Sequence, residues 1–186
     1  MLALILSLLV FLSLPTQVAS SAYDDADAYE VYASILPSEW PLRVSHAKQL
    51  VILRETKSYR MCLKPANESE AKVGPAISNY LELNKEKWLL QPKLSFDTPY
   101  QFLDPRRFQT LMSQGRWNEY YRQYPDSGGL LEFSAVGFNP DKTIAVVYMG
   151  HSCGDLCGGG TFHVLEKIDG KWKPLEWKGS SCAWAS

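Results

Sequence analysis

The stretch GLLEFSAVGFNPDKTIAVVYMGHSCGDLCGGGTFHVLEKIDGKWKPLEW, from Gly129 to Trp177, carries the clearest secondary-structure pattern in the chain. Its first two apolar runs, residues 129–138 and 142–151, are rich in the β-branched and aromatic residues that strands favour. An Asn-Pro-Asp turn separates them, and the fixed φ of its proline suits a tight turn. Two more β-type runs follow a glycine-rich loop. The sequence therefore predicts an antiparallel β-meander of about four to five strands in the C-terminal half.

The last two runs of this stretch are joined by an Asp-Gly pair at residues 169–170. Such a pair is typical of a two-residue hairpin, because both turn positions need a positive φ. This turn also sets the register of the two strands. Glu166 then lies opposite Lys173 and is expected to form a cross-strand ion pair with it.

The N-terminal half of the chain predicts helices and one strand. An acidic start, with Asp24 or Asp25 as the cap, precedes apolar residues at helical spacing that end by Leu36. The other predicted elements are a buried strand over residues 49–56, a helix within residues 68–90 interrupted near Gly74, and a short helix capped by Asp104 with Pro105 at its first position. We expect the helices to cover one face of the sheet, which defines an α+β fold.

The first residues of the chain predict export. An apolar run extends from Leu2 to Leu14, which is shorter than the roughly 20 residues that span a bilayer. Small residues follow it, as in a secretory signal peptide, and cleavage after Ser20 or after Ala22 fits the pattern. We therefore predict a signal peptide over residues 1–22 and a single α+β domain over residues 23–186. The mature protein is expected to be secreted or periplasmic and to have no integral membrane span.

The charge balance of the chain restricts the partners that we expect. Its 19 Lys and Arg residues oppose 20 Asp and Glu residues, which gives a formal net charge of −1. This balance offers no basic surplus for binding nucleic acid, so no nucleic-acid partner is expected. No cofactor is expected either, since the glycine run is not followed by the Gly-Lys-Ser/Thr of a phosphate-binding loop. The sequence does not specify a partner of another class.

Residues 133–172 contain four spaced elements, namely FS-x-VGFN-x-D, A-x-VY, C-x-x-LCG-x-G and LEK-x-x-G-x-W. In these elements the chain resembles a group of predicted secreted proteins, mostly bacterial, that share this pattern. The residues that carry it are Phe133, Ser134, Val136, Gly137, Phe138, Asn139, Asp141, Ala145, Val147, Tyr148, Cys153, Leu156, Cys157, Gly158, Gly160, Leu165, Glu166, Lys167, Gly170 and Trp172. The resemblance implies the fold and export rather than a particular chemistry, and the pattern includes neither His151 nor His163.

Cys153 and Cys157 flank a short loop that has several possible roles. In an oxidising compartment, two thiols this close normally form a disulfide, and the neighbouring glycines would supply the positive φ values of a closed turn. Because the loop is short, chain entropy gives this disulfide only about 2 kcal/mol. Exclusion leaves Cys62 and Cys182 as a second disulfide. That disulfide would tie the helical half to the tail, where the alternating sequence CAWAS predicts a further short strand.

A metal site is the first alternative for this loop, with the ligands His151, Cys153, Cys157 and His163. Two imidazoles and two thiolates are a legitimate set for zinc or copper. If the loop is centred on Cys157, the two histidines face each other across the hairpin. A redox-active dithiol and a nucleophilic cysteine with His163 as its base are the remaining alternatives.

A second candidate site is the aromatic segment RWNEYYRQYP, which begins at Arg116. One interpretation is a groove that binds a sugar or a peptide through stacking and cation–π contacts. Its residues would be Arg116, Trp117, Tyr120, Tyr121 and Tyr124. The competing interpretation is a half-buried helix end or strand edge. Taken together, the sequence predicts an exported binding or accessory domain without a recognisable catalytic set, and a metalloprotein or thiol enzyme using the cysteine loop is the alternative.

Overall fold

The computed structural model describes residues 20–36, 47–57, 59, 63, 71–177 and 183–186. In chain order the elements are β1 (Ser21–Tyr23), α1 (Ala26–Ile35), β2 (Gln49–Leu53), α2 (Gly74–Leu83), β3 (Trp88–Leu90), β4 (Tyr100–Leu103), α3 (Pro105–Gln114), α4 (Arg116–Gln123), β5 (Ser127–Phe133), β6 (Gly137–Phe138), β7 (Ile144–Gly154), β8 (Cys157–Ile168), β9 (Lys171–Pro174) and β10 (Trp184–Ala185). The predicted Cys62–Cys182 disulfide and the apolar run of the predicted signal peptide lie outside the described residues.

Eight strands form one mixed sheet, whose main path runs in the order β10-β8-β7-β5-β2-β4. Strands β5, β7, β8 and β9 pair antiparallel, each with the next, so this part is a meander. Strand β2 pairs parallel with both β5 and β4, which the meander prediction did not include. Val51 and Ile52 of β2 are both fully buried although they point to opposite faces, as is common in parallel strands covered on both sides. The α+β class is confirmed, and the antiparallel meander accounts for part of the sheet.

The β8–β9 hairpin has the predicted turn and register. The Asp-Gly pair at residues 169–170 has φ values of 51° and 73°, as a two-residue turn with two positive φ angles requires. Glu166 lies opposite Lys173, as expected, but among the described residues its ion pair is with Lys72 rather than with Lys173. The carboxylate of Glu166 forms a 2.6 Å ion pair with Lys72, which ties the hairpin to the segment before α2.

Local signals explain where the helices begin. Asp25 caps α1 by accepting the amide N–H of Asp27, and Asp104 caps α3 in the same way, as the sequence predicted. The expected interruption at Gly74 is wrong: this glycine is the first residue of α2, and Pro75 at the second position suits a helix start. The end of that predicted helix is strand β3. In the part of the chain that the structure describes, no helix is both long and apolar enough to cross a membrane.

The helices cover both faces of the sheet. Alternate residues of β7 point to opposite faces. Ala145 and Val147 pack into the cluster formed with α1, so we call this side the α1 face. Val146 and Tyr148 pack with α2 on the other side, the α2 face, which α3 and α4 also cover near β2 and β5. The expectation that the helices cover one face is therefore wrong, because strands with apolar residues on both sides need a layer on each.

The FS-x-VGFN element forms a buried bend between β5 and β6. The hydroxyl oxygen of Ser134 accepts the amide N–H of Tyr148 at 2.8 Å, and the phenol of Tyr32 donates to the Ser134 carbonyl at 2.7 Å. The side chain of Asn84 bonds the backbone of Ala135 through both its oxygen and its nitrogen. These bonds satisfy backbone groups that have left the strand pairing. The residues of this element therefore contribute to the fold.

Candidate functional site

The β7–β8 hairpin ends in a turn closed by a disulfide. Cys153 and Cys157 are bonded, with their Cα atoms 5.0 Å apart, which confirms the predicted short disulfide. The pairing shifts between Ser152 and Gly154, so Cys153 is the extra residue of a β-bulge. Asp155 and Leu156 form the tip of the turn. The bulge and the covalent closure together hold this end of the hairpin in one shape.

The glycines that follow the turn have a different role from the predicted one. Among the glycines that the structure describes, positive φ values occur at Gly129 and Gly170, and not in the cysteine loop. Gly160 is required by a close approach instead, because a Cβ atom there would lie 2.7 Å from the indole nitrogen of Trp184. A Cβ atom at Gly158 would likewise lie 3.3 Å from Cη2 of this ring. The glycine run therefore makes room for the tail.

The tail strand β10 is anchored on the α2 face by one side chain. The indole N–H of Trp184 donates to the hydroxyl oxygen of Tyr148 at 2.8 Å. Tyr148 is itself stacked on Tyr59, with ring centroids 4.7 Å apart. Because side chains alternate along a strand, the neighbouring residue Ala185 points to the α1 face, where it pairs with Gly159. The large side chain of Trp184 thus lies on the α2 face, and the small residues Ala185 and Gly159 lie on the α1 face.

A cavity of about 470 Å³ lies at this end of the sheet. We call it the hairpin pocket. Its lining residues are Met149, His151, Cys153, Leu156, Cys157, Gly158, Gly159, Gly160, Thr161, Ala183, Trp184, Ala185 and Ser186. It exists because Gly159 and Ala185 leave the surface of the strands uncovered on the α1 face. Within 4 Å, a Cβ atom at Gly159 would meet only the carbonyl oxygen of Trp184, at 3.1 Å.

The lining of the hairpin pocket is partly apolar and contains no acidic or strongly basic side chain. None of its residues is Asp, Glu, Lys or Arg. His151 is buried and forms a 2.9 Å hydrogen bond between its Nε2 and the carbonyl oxygen of Gly128. Burial lowers the pKa of His151 below 6.5, and the hydrogen bond opposes this shift only in part. At the rim, Leu156 is 87% exposed, an unusual fraction for a leucine at the tip of a rigid turn.

The structure does not bring the four predicted metal ligands together. The pairing centres the hairpin on residues 155–156 rather than on Cys157, so His163 lies opposite Val147. Val147 is four residues from His151 along β7, which corresponds to about 13 Å at the rise of a strand. The sulfur atoms of both cysteines are bonded to each other and present no thiolate to a metal or a substrate. Among the described residues, no group of three or more His, Cys, Asp and Glu side chains is arranged to hold a metal ion.

The aromatic segment that begins at Arg116 forms helix α4 and braces the hairpin. Tyr120 is fully buried, and the neighbouring rings of Trp117, Tyr121 and Tyr124 pack against the same cluster. This arrangement agrees with the competing interpretation of the segment as a half-buried helix end. Because Tyr120 is fully buried, its ring cannot line a ligand-binding groove. The phenol of Tyr121 donates to the carbonyl oxygen of Cys153 at 2.9 Å. The two motifs that the sequence singled out separately are therefore in contact.

A second contact between α4 and the turn is an ion pair. The guanidinium of Arg116 donates two hydrogen bonds to the carboxylate of Asp155 at the tip of the turn, at 2.5 and 3.2 Å. Both side chains are exposed, so the pair contributes little free energy, but it fixes the position of the turn relative to α4. The local sequence pattern did not identify Met149, Thr161 and Trp184 as parts of one site. The alternation in CAWAS was the signal that could have placed the tail there.

A second depression, of about 590 Å³, lies on the outer side of α1. Its lining residues are Ala26, Tyr29, Glu30, Ala33, Ser34, Lys93, Ser95, Gly170, Lys171 and Trp172. Unlike the hairpin pocket, it is bordered by charged side chains of both signs. Tyr29 and Trp172, the two rings of the lining, are buried. We call this depression the α1 groove. Because its volume is similar to that of the hairpin pocket, substitutions in it can serve as controls for substitutions in the pocket.

Comparisons of the chain with protein-family models, with curated proteins and with solved structures give no match. The functional conclusions therefore depend on the geometry of the hairpin end.

Proposed function

We propose that the protein is an exported, non-catalytic binding or accessory domain that uses the hairpin pocket to bind a small ligand. The observation that carries this proposal is a cavity of about 470 Å³, lined by no Asp, Glu, Lys or Arg side chain, beside a leucine that is 87% exposed. Small-molecule sites in proteins generally have volumes of about 300–1,000 Å³ and combine apolar walls with a few polar groups.

Rigidity of the walls supports a binding role. The disulfide closes one end of the hairpin pocket, and α4 holds the same turn through Arg116 and Tyr121. A site that is already formed before the ligand arrives loses less conformational entropy on binding. A disulfide bond, a β-bulge and a run of glycines all lie at this one end of the sheet. These features favour a recognition surface.

The chemical groups around the hairpin pocket support binding rather than catalysis. The sulfur atoms are joined in a disulfide, and neither is available as a nucleophile. Burial lowers the pKa of both His151 and His163, which keeps these imidazoles neutral near pH 7. The disulfide also accords with the oxidising compartment that the apolar leader predicts. These observations are all consistent with an exported domain that binds a ligand.

The proposal is tested by recovering the ligand with a matched pair of variants. The purified protein is incubated with spent medium of the producing organism, washed and denatured, and the released small molecules are identified by mass spectrometry. Leu156→Ser alters the rim of the hairpin pocket, whereas Ile168→Ser alters the other exposed large apolar residue among those that the structure describes, which is 40% exposed. We expect a compound that the wild type and Ile168→Ser retain and Leu156→Ser loses. Equal recovery by all three proteins, or no enriched compound, would contradict the proposal.

A further inference from the structure

We infer that the ligand of the hairpin pocket is a flat, uncharged molecule with a fused-ring body of about two rings. This inference rests on the proposed function, because it names the class of ligand for the same site. It follows from three properties of the described residues: the shape of the floor, the width between the walls and the absence of Asp, Glu, Lys and Arg side chains from the lining.

The floor of the hairpin pocket is flat where two neighbouring strands present small residues side by side, and the imidazole of His151 on the third strand bounds it. His151 of β7 pairs with Gly159 of β8, which pairs in turn with Ala185 of β10. In the next row, Met149 pairs with Thr161. At Gly159 and Ala185 nothing larger than a methyl group rises above the backbone. A planar ligand can therefore lie against the strands, whereas a bulky three-dimensional one would leave the floor uncontacted.

The width of the floor favours an elongated ring system. Adjacent strands in a sheet lie about 4.8 Å apart, so the span from β7 across β8 to β10 is about 10 Å. The disulfide and Leu156 bound this floor at the turn. Met149 is buried at the side nearest to α1, where its thioether can contact the edge of an aromatic ring. A fused bicyclic molecule is long enough to touch both sides.

The lack of charged side chains in the lining restricts which flat molecules can bind. The lining contains no ionised side chain near pH 7 that would compensate for a charge on the ligand. An ionised ligand would lose its hydration without gaining an ion pair, and this cost is large. A hydroxyl group is tolerated better, since the hydroxyl of Thr161 in the lining can hydrogen-bond with it. The ligand is therefore expected to be neutral, with at most a few hydroxyl or carbonyl groups.

The experiment compares 2-naphthol with 2-naphthoate, which share one ring system and differ in charge at pH 7. Dissociation constants are measured by calorimetry, and the site is located from the amide chemical shifts of residues 158–161. We expect 2-naphthol to shift these amides and to bind at least about tenfold more tightly than 2-naphthoate.

Two variants then test the location. Ala185→Leu adds a bulky side chain to the floor at an exposed position, and Ala33→Leu makes the same change in the α1 groove. We expect Ala185→Leu to weaken 2-naphthol binding by about tenfold and Ala33→Leu to leave it within about twofold. Amide spectra establish that both variants are folded.

The outcomes separate this inference from the proposed function. If 2-naphthoate binds as tightly as 2-naphthol and shifts the same amides, the ligand class is wrong and the hairpin pocket remains a binding site. If Ala33→Leu rather than Ala185→Leu weakens binding, the site is wrong. If neither compound binds at millimolar concentration, the inference is wrong, and the recovery experiment with Leu156→Ser decides independently whether the hairpin pocket binds another ligand.

Discussion

The indole N–H of Trp184 donates a 2.8 Å hydrogen bond to the phenol oxygen of Tyr148, although their strands are separated by β8. The bond passes over Gly160, whose lack of a side chain leaves the space that the indole occupies. One contact on the α2 face therefore fixes the strand whose other side forms a wall of the hairpin pocket. The packing of Trp184 against Tyr148 on the α2 face thus supports the proposed binding site on the α1 face.

Gly160→Ala is expected to release this contact. The added methyl group would overlap the phenol of Tyr148 and the indole of Trp184, so one of the two rings must move and β10 is expected to detach. We expect the free energy of unfolding in urea to fall by about 1–3 kcal/mol, as for other overpacked sites. Gly74→Ala is the control, because a Cβ atom at the first residue of α2 meets nothing within 4 Å. Equal stability of the two variants would show that the indole is not held here.

Loss of the short disulfide is expected to have a moderate effect. Cys153→Ser should lower the free energy of unfolding by about 2 kcal/mol, because the closed loop is short. Cys62→Ser should lower the melting temperature more, since the predicted Cys62–Cys182 disulfide closes a far longer loop. Differential scanning calorimetry measures both, and non-reducing peptide mapping identifies the partners. A Cys62 peptide joined to any cysteine other than Cys182 would refute the second pairing.

His163 is expected to make stability fall on mild acidification. Burial lowers the pKa of His163 from 6.5 to about 4 in the folded protein, so the unfolded chain binds a proton first as the pH drops. Its contribution to stability is therefore complete above pH 6.5 and is lost as the pH falls from 6.5 toward about 4. His163→Gln should flatten the pH dependence of the unfolding free energy in this window. An unchanged slope would place the titrating group elsewhere.

Asp27 is expected to act at lower pH and through a different cause. Hydrogen bonds from Lys142 and Lys167 lower the pKa of this carboxyl below its ordinary value of 3.8 and tie α1 to the sheet. This contribution is present above pH 3.8 and is lost as the pH falls through the lower folded value. Asp27→Asn should reduce stability at pH 7 and flatten the acid limb below pH 4. The exposed Asp97→Asn serves as the control and should retain the acid limb of the wild type.

The position of β1 distinguishes the two predicted cleavage sites. Ser21, Ala22 and Tyr23 pair with β3, so cleavage after Ala22 would remove two of the three paired residues. Cleavage after Ser20 leaves the strand complete. We therefore expect exported protein to begin at Ser21, as determined by N-terminal sequencing from the producing organism. A chain that begins at Tyr23 would show that β1 is dispensable, and an intact Met1 in the membrane fraction would contradict export by a cleaved leader.

Features that depend on neighbours along the chain were predictable from the sequence. The caps at Asp25 and Asp104 and the turn at residues 169–170 act within a few residues, and each lies where the local pattern indicated. A buried strand was predictable at β2, but its parallel pairing with β5 was not. Nothing in the sequence near Val51 identifies Leu130 as its partner. An apolar run shows that a strand is buried, but it does not show which strand lies beside it.

The hairpin end was predicted in part for the same reason. Proximity in sequence was enough to pair Cys153 with Cys157. The glycines were assigned to turn conformations because their real constraint, the ring of Trp184, arrives from a distant segment. The relation of His151 to His163 depends on where the turn is centred, and a small shift in that centre moves the two imidazoles apart by several residues.

The parallel pairing of β2 with β5 sets an order for folding. Val51 cannot pair with β5 until Leu130 has been synthesised, and the β7–β8 hairpin, which completes the sheet beside β5, is synthesised later still. Such long-range contacts require a large loop to close first, which slows folding. For a chain that is exported as we propose, this delay leaves β2 without its β5 partner while the N-terminal half emerges from the ribosome. A segment that has not yet paired is suited to threading through a translocation channel before the sheet is completed.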